Sequence, residues 1–379
     1  MLNSKRLRIK QVIYYNNPTL FCVGKEGQKR VYDKTYGKYL AYSSGQQQKT
    51  TRVNEVCELL GIPLADFVFY YNEKHKQASK GISQDPRHVE AMTRGYMNVT
   101  TNNIKRESPL NISTMFPIHP LLVESIDDLI AVGHGVREKS FTLIQEKKKT
   151  KKAGEDDDES EKSDGSKTEG KYEEVPKTTD EYKKFLDEMA DTRKKGIEHS
   201  LAGGKLLTRG VFERYIEIDL TRLFAFNNDI LLPSKEIAAE YMDAIIKDGW
   251  KEVDTKLYGK MFIVPKSIRD KYIPAIAEAL VMALPNTNQS SSYSVGEIVA
   301  TAVSYDASEN SYAIVCEENN ETANVILDKD AGSKLFITPI AKSSRIFAGY
   351  DRESATSKAN KEAIAYITQE LLNFDYEGI

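Results

Sequence analysis

Two stretches decide the fold class: LRIKQVIYY, residues 7–15, and ERYIEIDLTRLFAF, residues 213–226. The first is β-branched and aromatic with partial alternation, the pattern of a strand. In the second, Tyr215, Ile216, Ile218, Leu220, Leu223 and Phe226 predict a core strand with its continuation. Between them GQQQKTTRVNEVCELLG, residues 45–61, reads as a helix. Val53, Val56, Cys57, Leu59 and Leu60 recur at helical spacing, and Gly61 with Pro63 stops it. Ser43, Ser44 and Gly45 stand where an N-cap belongs. LAYSS, residues 40–44, approaches this helix as an extended or turn segment.

Working outward, SKEIAAEYMDAIIKDGW (234–250) and KSIRDKYIPAIAEALVMAL (266–284) predict two amphipathic helices. EIVATAVSYDASENSYAIVCEEN (297–319) predicts two strands joined by a polar turn, and SKANKEAIAYITQELLNF (357–374) a closing helix. DEYKKFLDEMADTRKKG (180–196) is a further short helix, and residues 63–145 mix short apolar runs with polar clusters. There is no internal repeat. The order is strand, helix, long insertion, strand, helices, strands. That is an α+β pattern, compatible with a ferredoxin-like or RRM-like sheet interrupted by loops, and not the regular alternation of a doubly wound sheet.

The chain has 379 residues, enough for two modest domains or for one with large insertions, and the order of elements favours the second. With 40% hydrophobic and 29% charged residues, most of it can build a core. No run of apolar residues is long enough to span a membrane. QVIYYNNPTL, after the basic start MLNSKRLRIK, is too polar for the apolar part of a signal peptide, so a cytoplasmic protein is expected. Cys22, Cys57 and Cys316 are far apart, which fits a reducing compartment and offers no zinc-ligand spacing.

The net charge is −3, but residues 155–174 hold ten acidic and three basic side chains, a net −7, so the remainder carries +4. That permits nucleic-acid binding. The surrounding segment 146–180 runs from EKKKTKK into the acidic cluster with almost no aliphatic residues. It is expected to be a flexible, solvated loop.

Three segments carry candidate chemistry. GKYLAYSSGQQQKTTR (37–52) gathers hydroxyls, glutamines, Lys49 and Arg52 at a helix start, where free amides and the helix dipole suit phosphate. It is no Walker loop, since GxxxxGK[ST] is absent. A capped helix with a polar exposed face explains the same residues. LPNTNQSSSYS (284–294) is a loop of short polar side chains that can approach a polynucleotide backbone, or a plain polar turn. HSLAGGKLLTRGVFERY (199–215) combines Lys205, Arg209 and Arg214 with Leu206 and Leu207. It reads as an exposed hairpin or loop whose apolar tip could wedge between bases, or whose leucines could tuck into the core.

In this order the three segments resemble the backbone subunit of type I CRISPR Cascade complexes, in the DevR-like group of the RAMP superfamily. SSGQQQKTTR is similar to that family's SSQ-x-x-KR helix start, with Gly45 inserted and Thr50 where a second basic residue is usual. LPNTNQSSS resembles its LP-x-x-x-QNS loop, with Gln289 matching and Ser290 in place of asparagine. GVFERYIEIDL resembles its F-x-R-Y strand.

The resemblance implies an RRM-like palm (1–62 and 213–379), a helical finger insertion (63–145), the charged loop (146–180) and a β-hairpin thumb (181–212). It implies that Ser43, Ser44, Gln46 and Lys49, with Arg52, bind guide-RNA phosphate and ribose, as do Asn288, Gln289 and Ser290. Lys205, Leu206 and Arg209 fall in the thumb, with Leu206 as the wedge. The implied partners are CRISPR guide RNA, target DNA or RNA paired to it, further copies of the chain and other Cascade subunits. No enzymatic activity and no cofactor are implied.

Two other functions compete. Type III backbone subunits resemble these proteins and cut target RNA with a loop aspartate, for which Asp66 or Asp85 would be the candidates. A general RNA-binding protein outside CRISPR is the other, although the aromatic RNP1 pattern is not visible. The five histidines are scattered, no HExxH or deaminase zinc pattern occurs, and Ser44 lacks the G-x-S-x-G elbow. His119, in PIHPLL, reads as a satisfied buried histidine.

Overall fold

The computed structural model describes residues 5–24, 27–72, 77–97, 104–128, 131–132, 144–146, 172–174, 180, 183–184, 187, 200–201, 205–228, 235–255, 258–285, 287, 295–319 and 321–379. The chain divides into two units, Met1–Asp128 with Lys205–Ile379, and Leu129–Gly204.

In the first unit the elements that position the site are, in chain order, β1 (Arg6–Thr19), a hairpin of β2 (Arg30–Asp33) and β3 (Lys38–Ala41), α1 (Gly45–Leu60), β4 (Val123–Asp128), β5 (Lys205–Asp219), α2 (Lys266–Met282), β6 (Glu297–Ser304), β7 (Lys334–Ile337) and α3 (Ala359–Asn373). β1 lies inside the main sheet, antiparallel to β5 on one side and to β6 on the other, and β7 follows β6. Arg6 faces Asp219 and Tyr15 faces Gly210, while Arg8 also faces Ser304. The far side of β5 pairs in turn with Leu110–Ile112, Phe116–Pro117 and β4.

The period-two pattern of β1 sends Leu7 and Ile9 to one face, where they are buried. α1, α2 and α3 supply the other half of that core with Val56, Ile273, Ile276, Leu280, Ile367 and others. On the opposite face Val12, Val211 and Ala300 are covered by Ile314, Val325 and Phe347. The covering strands Ile314–Asn319 and Thr322–Leu327 form a separate small sheet. Helices with mainly antiparallel sheets make the chain α+β, as expected.

Within the first unit, the stretch 63–128 is tied to this body by a buried polar network. Arg106 Nη1 pairs with Glu236 Oε2 at 2.9 Å and donates to the Ala225 carbonyl at 2.9 Å. Its Nε donates to the Ala91 carbonyl at 2.9 Å, and its guanidinium lies 3.6 Å from the Phe226 ring centroid. Arg222 Nη2 holds the other Glu236 oxygen at 2.6 Å. The buried charge is both paired and fully hydrogen-bonded.

In the second unit Ala131–Val132 pairs with Ser200–Leu201, and Ile144–Glu146 with Tyr172–Glu174. Asp180, Lys183, Lys184 and Asp187 are helical, within the stretch expected to be a helix. Residues 147–171, with most of the acidic run, lie outside the described residues. Tyr172–Glu174, inside the segment expected to be a loop, is a strand.

One expectation is refined and one is corrected. Residues 205–210, the end of the HSLAGGKLLTRG stretch expected as an exposed hairpin or loop, are strand: they open the 15-residue β5 and pair antiparallel with β4. Val211 packs on the opposite face from Phe212, Ile216 and Ile218, so both faces of the stretch are covered, and β1 and β4 offer it pairing partners on both sides. The polar turn between residues 304 and 314 is a short helix, Ala307–Ala313, capped by the Asp306 carboxylate on the Ser308 amide at 2.7 Å. The two strands it joins lie in different sheets.

Candidate nucleic-acid interface

α1 starts where it does because its first residues are wedged between two other segments. Ser43 exchanges backbone bonds with Met115, and the Ser44 hydroxyl accepts the Gln47 amide at 3.4 Å as the N-cap. A Cβ on Gly45 would sit 2.6 Å from the Ile112 carbonyl oxygen, so glycine is needed for this close approach. The Gln47 side chain donates to the Phe21 carbonyl at 2.6 Å, fixing the first turn to the end of β1. At the other end Gly61, at φ +63°, closes the helix in the left-handed conformation.

The candidate residues of this turn fall into two groups. Gln46 is exposed, and Ser44 and Lys49 are partly exposed. Lys49 Nζ donates to Ser108 Oγ at 2.8 Å, and burial, then Arg94, holds its pKa below the usual lysine value. Ser43 and Arg52 are instead buried, Arg52 to 1% exposure. As placed, neither reaches solvent. Ser43 Oγ donates to Gln47 Oε1 at 2.8 Å, and Arg52 Nη1 donates to the Gln48 carbonyl at 2.7 Å and to Gln48 Oε1 at 3.1 Å.

Behind this turn lies Arg214, from the ERY segment of β5, at 0% exposure. Its Nε donates to Gln11 Oε1 at 2.8 Å and its Nη1 to Gln48 Oε1 at 3.4 Å. The same Nη1 donates to the Ala283 carbonyl at 2.9 Å, and Nη2 to the Val281 carbonyl at 3.1 Å. These carbonyls are at the C-terminus of α2, the negative end of its dipole. Arg214 thus ties together the SSGQQQ segment, its own ERY strand and the residues just before LPNTNQSS.

Neither Arg52 nor Arg214 has an ion pair among the described residues. Burial pushes the pKa of both guanidiniums well below the ordinary arginine value, and at Arg52 the charge of Arg214 adds to this. Four buried polar atoms around them have no hydrogen-bond partner: Arg52 Nε and Nη2, Gln48 Nε2 and Tyr15 Oη.

On the outer face of the sheet a groove of about 460 Å³ runs past Arg8, Lys49, Asn111, Ser113 and Tyr215. Tyr215 is 38% exposed, and Lys10 Nζ stands 4.9 Å from its ring centroid. The groove is thus lined by a cation of α1 and an aromatic ring of β5, with Lys10 of β1 over that ring. Arg214, which carries the junction, was noted in the sequence as one of three cations of the 199–215 segment, and Tyr215, which lines the groove, only as part of the ERY strand. Their alternation along β5 sends one to each face.

The other candidates are placed as follows. Asn288, Gln289 and Ser290 lie outside the described residues. The backbones of Lys205 and Leu206 pair with Asp128 and Asp127 along β5 and β4. Leu207 is buried. Arg209 is exposed and ion-paired with Glu124 at 2.8 Å. His119 accepts the Leu121 amide on Nδ1 at 3.2 Å. No group of three or more metal-ligating side chains occurs among the described residues, and no helix among them is long and apolar enough to cross a membrane.

No family model and no curated protein matches the sequence. The structure is similar to a chain of a solved structure described as a CRISPR RNA-guided surveillance complex, with a TM-score of 0.43 and 10% sequence identity over 96% of this chain and 99% of that one. It is similar to another described as a CRISPR RNA-guided surveillance complex, pre-nicking, with a TM-score of 0.40 and 10% identity over 79% and 77% of the two chains.

Proposed function

We propose that the chain is a non-catalytic, guide-RNA-binding subunit that polymerises along the RNA of a CRISPR effector complex. The observation that carries the reading is the junction at Arg214. Three segments far apart in the chain resemble one family's signature, and Arg214 bonds to Gln48 in the first and to the Ala283 carbonyl beside the third.

In this reading the RNA backbone passes the start of α1. The free amides of its first turn, the Ser44 and Gln46 side chains and the Lys49 ammonium take phosphate and ribose oxygens. The groove beside Tyr215 accepts a neighbouring nucleotide. Amides, hydroxyls and few cations suit a guide of variable sequence, because they leave base edges free for pairing. Modest affinity per subunit becomes high avidity along one RNA. The main sheet with α1, α2 and α3 serves as the RRM-like palm.

The test is expression with a CRISPR array followed by gel, sequencing and mass analysis of the purified protein. Short RNAs of uniform length carrying repeat sequence, in a high-mass particle, are the expected result. An RNA-free monomer that fails to bind added guide at low salt overturns the proposal. The rival cleavage reading gains nothing from Asp85. Its carboxylate is engaged by the Arg87 side chain, with Nη2 at 2.6 Å, and by the Arg87 amide at 3.0 Å, as in a structural turn. Manganese-dependent cutting of a complementary RNA at regular intervals would restore that reading.

A further inference from the structure

The β2–β3 hairpin shows two unlike faces. Its back is anchored at several points. Tyr36 Oη donates to Glu318 at 2.7 Å and lies 3.3 Å from His119 Nε2. The Ser125 hydroxyl donates to the Tyr39 carbonyl at 3.1 Å, and Leu40 is buried. The Asp33 carboxylate closes the turn by accepting the Thr35 and Tyr36 amides at 2.8 and 3.1 Å.

The front is open. Tyr32 and Tyr39 face each other across the strands, with ring centroids 5.1 Å apart, and are 50% and 48% exposed. The Arg30 guanidinium lies 4.2 Å from the Tyr39 ring centroid, on the same face. Just beyond the hairpin, Lys29 stands 5.2 Å from the ring of Tyr42. Residues 29–42 hold Lys29, Arg30, Lys34 and Lys38 against Asp33 alone, a net +3. A cross-strand tyrosine pair stabilises any hairpin. That alone explains neither the stacked guanidinium nor the surplus of positive charge.

We propose that this front face, Arg30, Tyr32 and Tyr39 with Lys34 at the turn, is a stacking platform for single-stranded nucleic acid. Exposed rings match base faces, and the cations match the phosphates between them. A duplex hides its base faces and is excluded. A protein partner would have to be acidic and aromatic-seeking at once, a narrower match than a polynucleotide. Because the back is anchored, the rings are held out before the ligand arrives. Only three residues separate the end of β3 from α1. The platform rests on the RNA-binding reading in this respect: the strand held at α1 is the one expected to continue onto it.

The test measures binding of the full chain to fluorescent 20-nucleotide oligo-U, oligo-dT and a 20-base-pair duplex by anisotropy. The Tyr32→Leu/Tyr39→Leu variant should bind the single strands roughly tenfold or more weakly, as expected for the loss of aromatic stacking. Tyr32→Phe/Tyr39→Phe should stay within about twofold of the parent. Independently of any variant, 4-thiouridine oligo-U irradiated with the parent protein should crosslink to peptides containing Tyr32 or Tyr39. Equal affinity for oligo-U and oligo-dT assigns recognition to bases and phosphates, and preference for oligo-U adds the ribose hydroxyl; both support the platform. Leucine-variant affinity equal to the parent, or crosslinks that avoid the hairpin, overturns it. If that occurs while Lys49→Glu abolishes binding, the α1 site stands and the platform alone falls. A parent protein that binds no single strand ends both.

Discussion

Arg106 and Arg214 are both wholly buried, and the fold holds them in opposite ways. Arg106 meets a carboxylate, carbonyls and an aromatic face. Arg214, with Arg52 beside it, meets only carbonyl and amide oxygens among the described residues. Burial lowers the pKa of all three, but at Arg106 Glu236 pulls it back up. The first site is closed within the protein. The second keeps two positive charges and several unpartnered polar atoms, an arrangement that weakens the fold.

The contrast can be broken by substitution and urea unfolding. Arg106→Met leaves Glu236 with one fewer cation and should cost about 4 kcal/mol. Arg214→Met uncovers carbonyls at the end of α2 but relieves repulsion with Arg52, and should cost only about 2 kcal/mol. Equal losses would erase the difference between the two sites.

Titration sharpens it further. Tyr15 beside Arg214 and Tyr96, whose hydroxyl donates to the Glu236 carbonyl near Arg106, both have phenol pKa values raised chiefly by burial. Their contribution is fully present below the unfolded pKa of about 10 and is lost as pH rises above it. The loss is about 1.4 kcal/mol per pH unit for each ring. Tyr15→Phe and Tyr96→Phe should each flatten the fall of stability between about pH 10 and 11 by roughly 1 kcal/mol, the unfolded phenol being only half ionised at the start of that window. At neutral pH they should part: Tyr15→Phe removes an orphaned hydroxyl and stabilises, while Tyr96→Phe breaks a bond and destabilises.

Arg52→Met should change stability by no more than about 1 kcal/mol, toward greater stability in the absence of RNA. A larger loss would make Arg52 a structural residue like Arg106. The smallest effect is expected at Lys49→Gln: under about 0.5 kcal/mol in stability, with the salt slope of RNA binding reduced by about 0.7. An unchanged slope would remove Lys49 from the phosphate contacts.

Local pattern made much of this fold readable. β1, α1, α2 and α3 follow from periodicities and caps within single segments, and Ser44 and Gly61 end α1 as read. What escaped depends on distant partners. Residues 205–212 look like a loop because Gly203, Gly204 and Gly210 punctuate them, and only β1 and β4 make them a strand. Arg52 reads as an exposed cation, yet it shares a helix stripe with Gln48 and Val56, a spacing of four that marks the buried side. Arg214 was visible as charge in a core strand, but its hydrogen-bond partners lie 67 to 203 residues away.

The placement of β1 bears on how the protein is made. Its two neighbours are β5 and β6, and Arg8 bonds to a carbonyl 297 residues further along the chain. At about 5–20 residues per second, roughly 15–60 s of synthesis separate the first strand from its last partner. LRIKQVIYY is an unpaired, apolar, β-prone segment until β5 is made, and one of its edges stays open until β6 follows. The chain that is proposed to polymerise on RNA must first avoid polymerising on itself at the ribosome. Its folding is expected to be slow and to depend on whatever shields that segment.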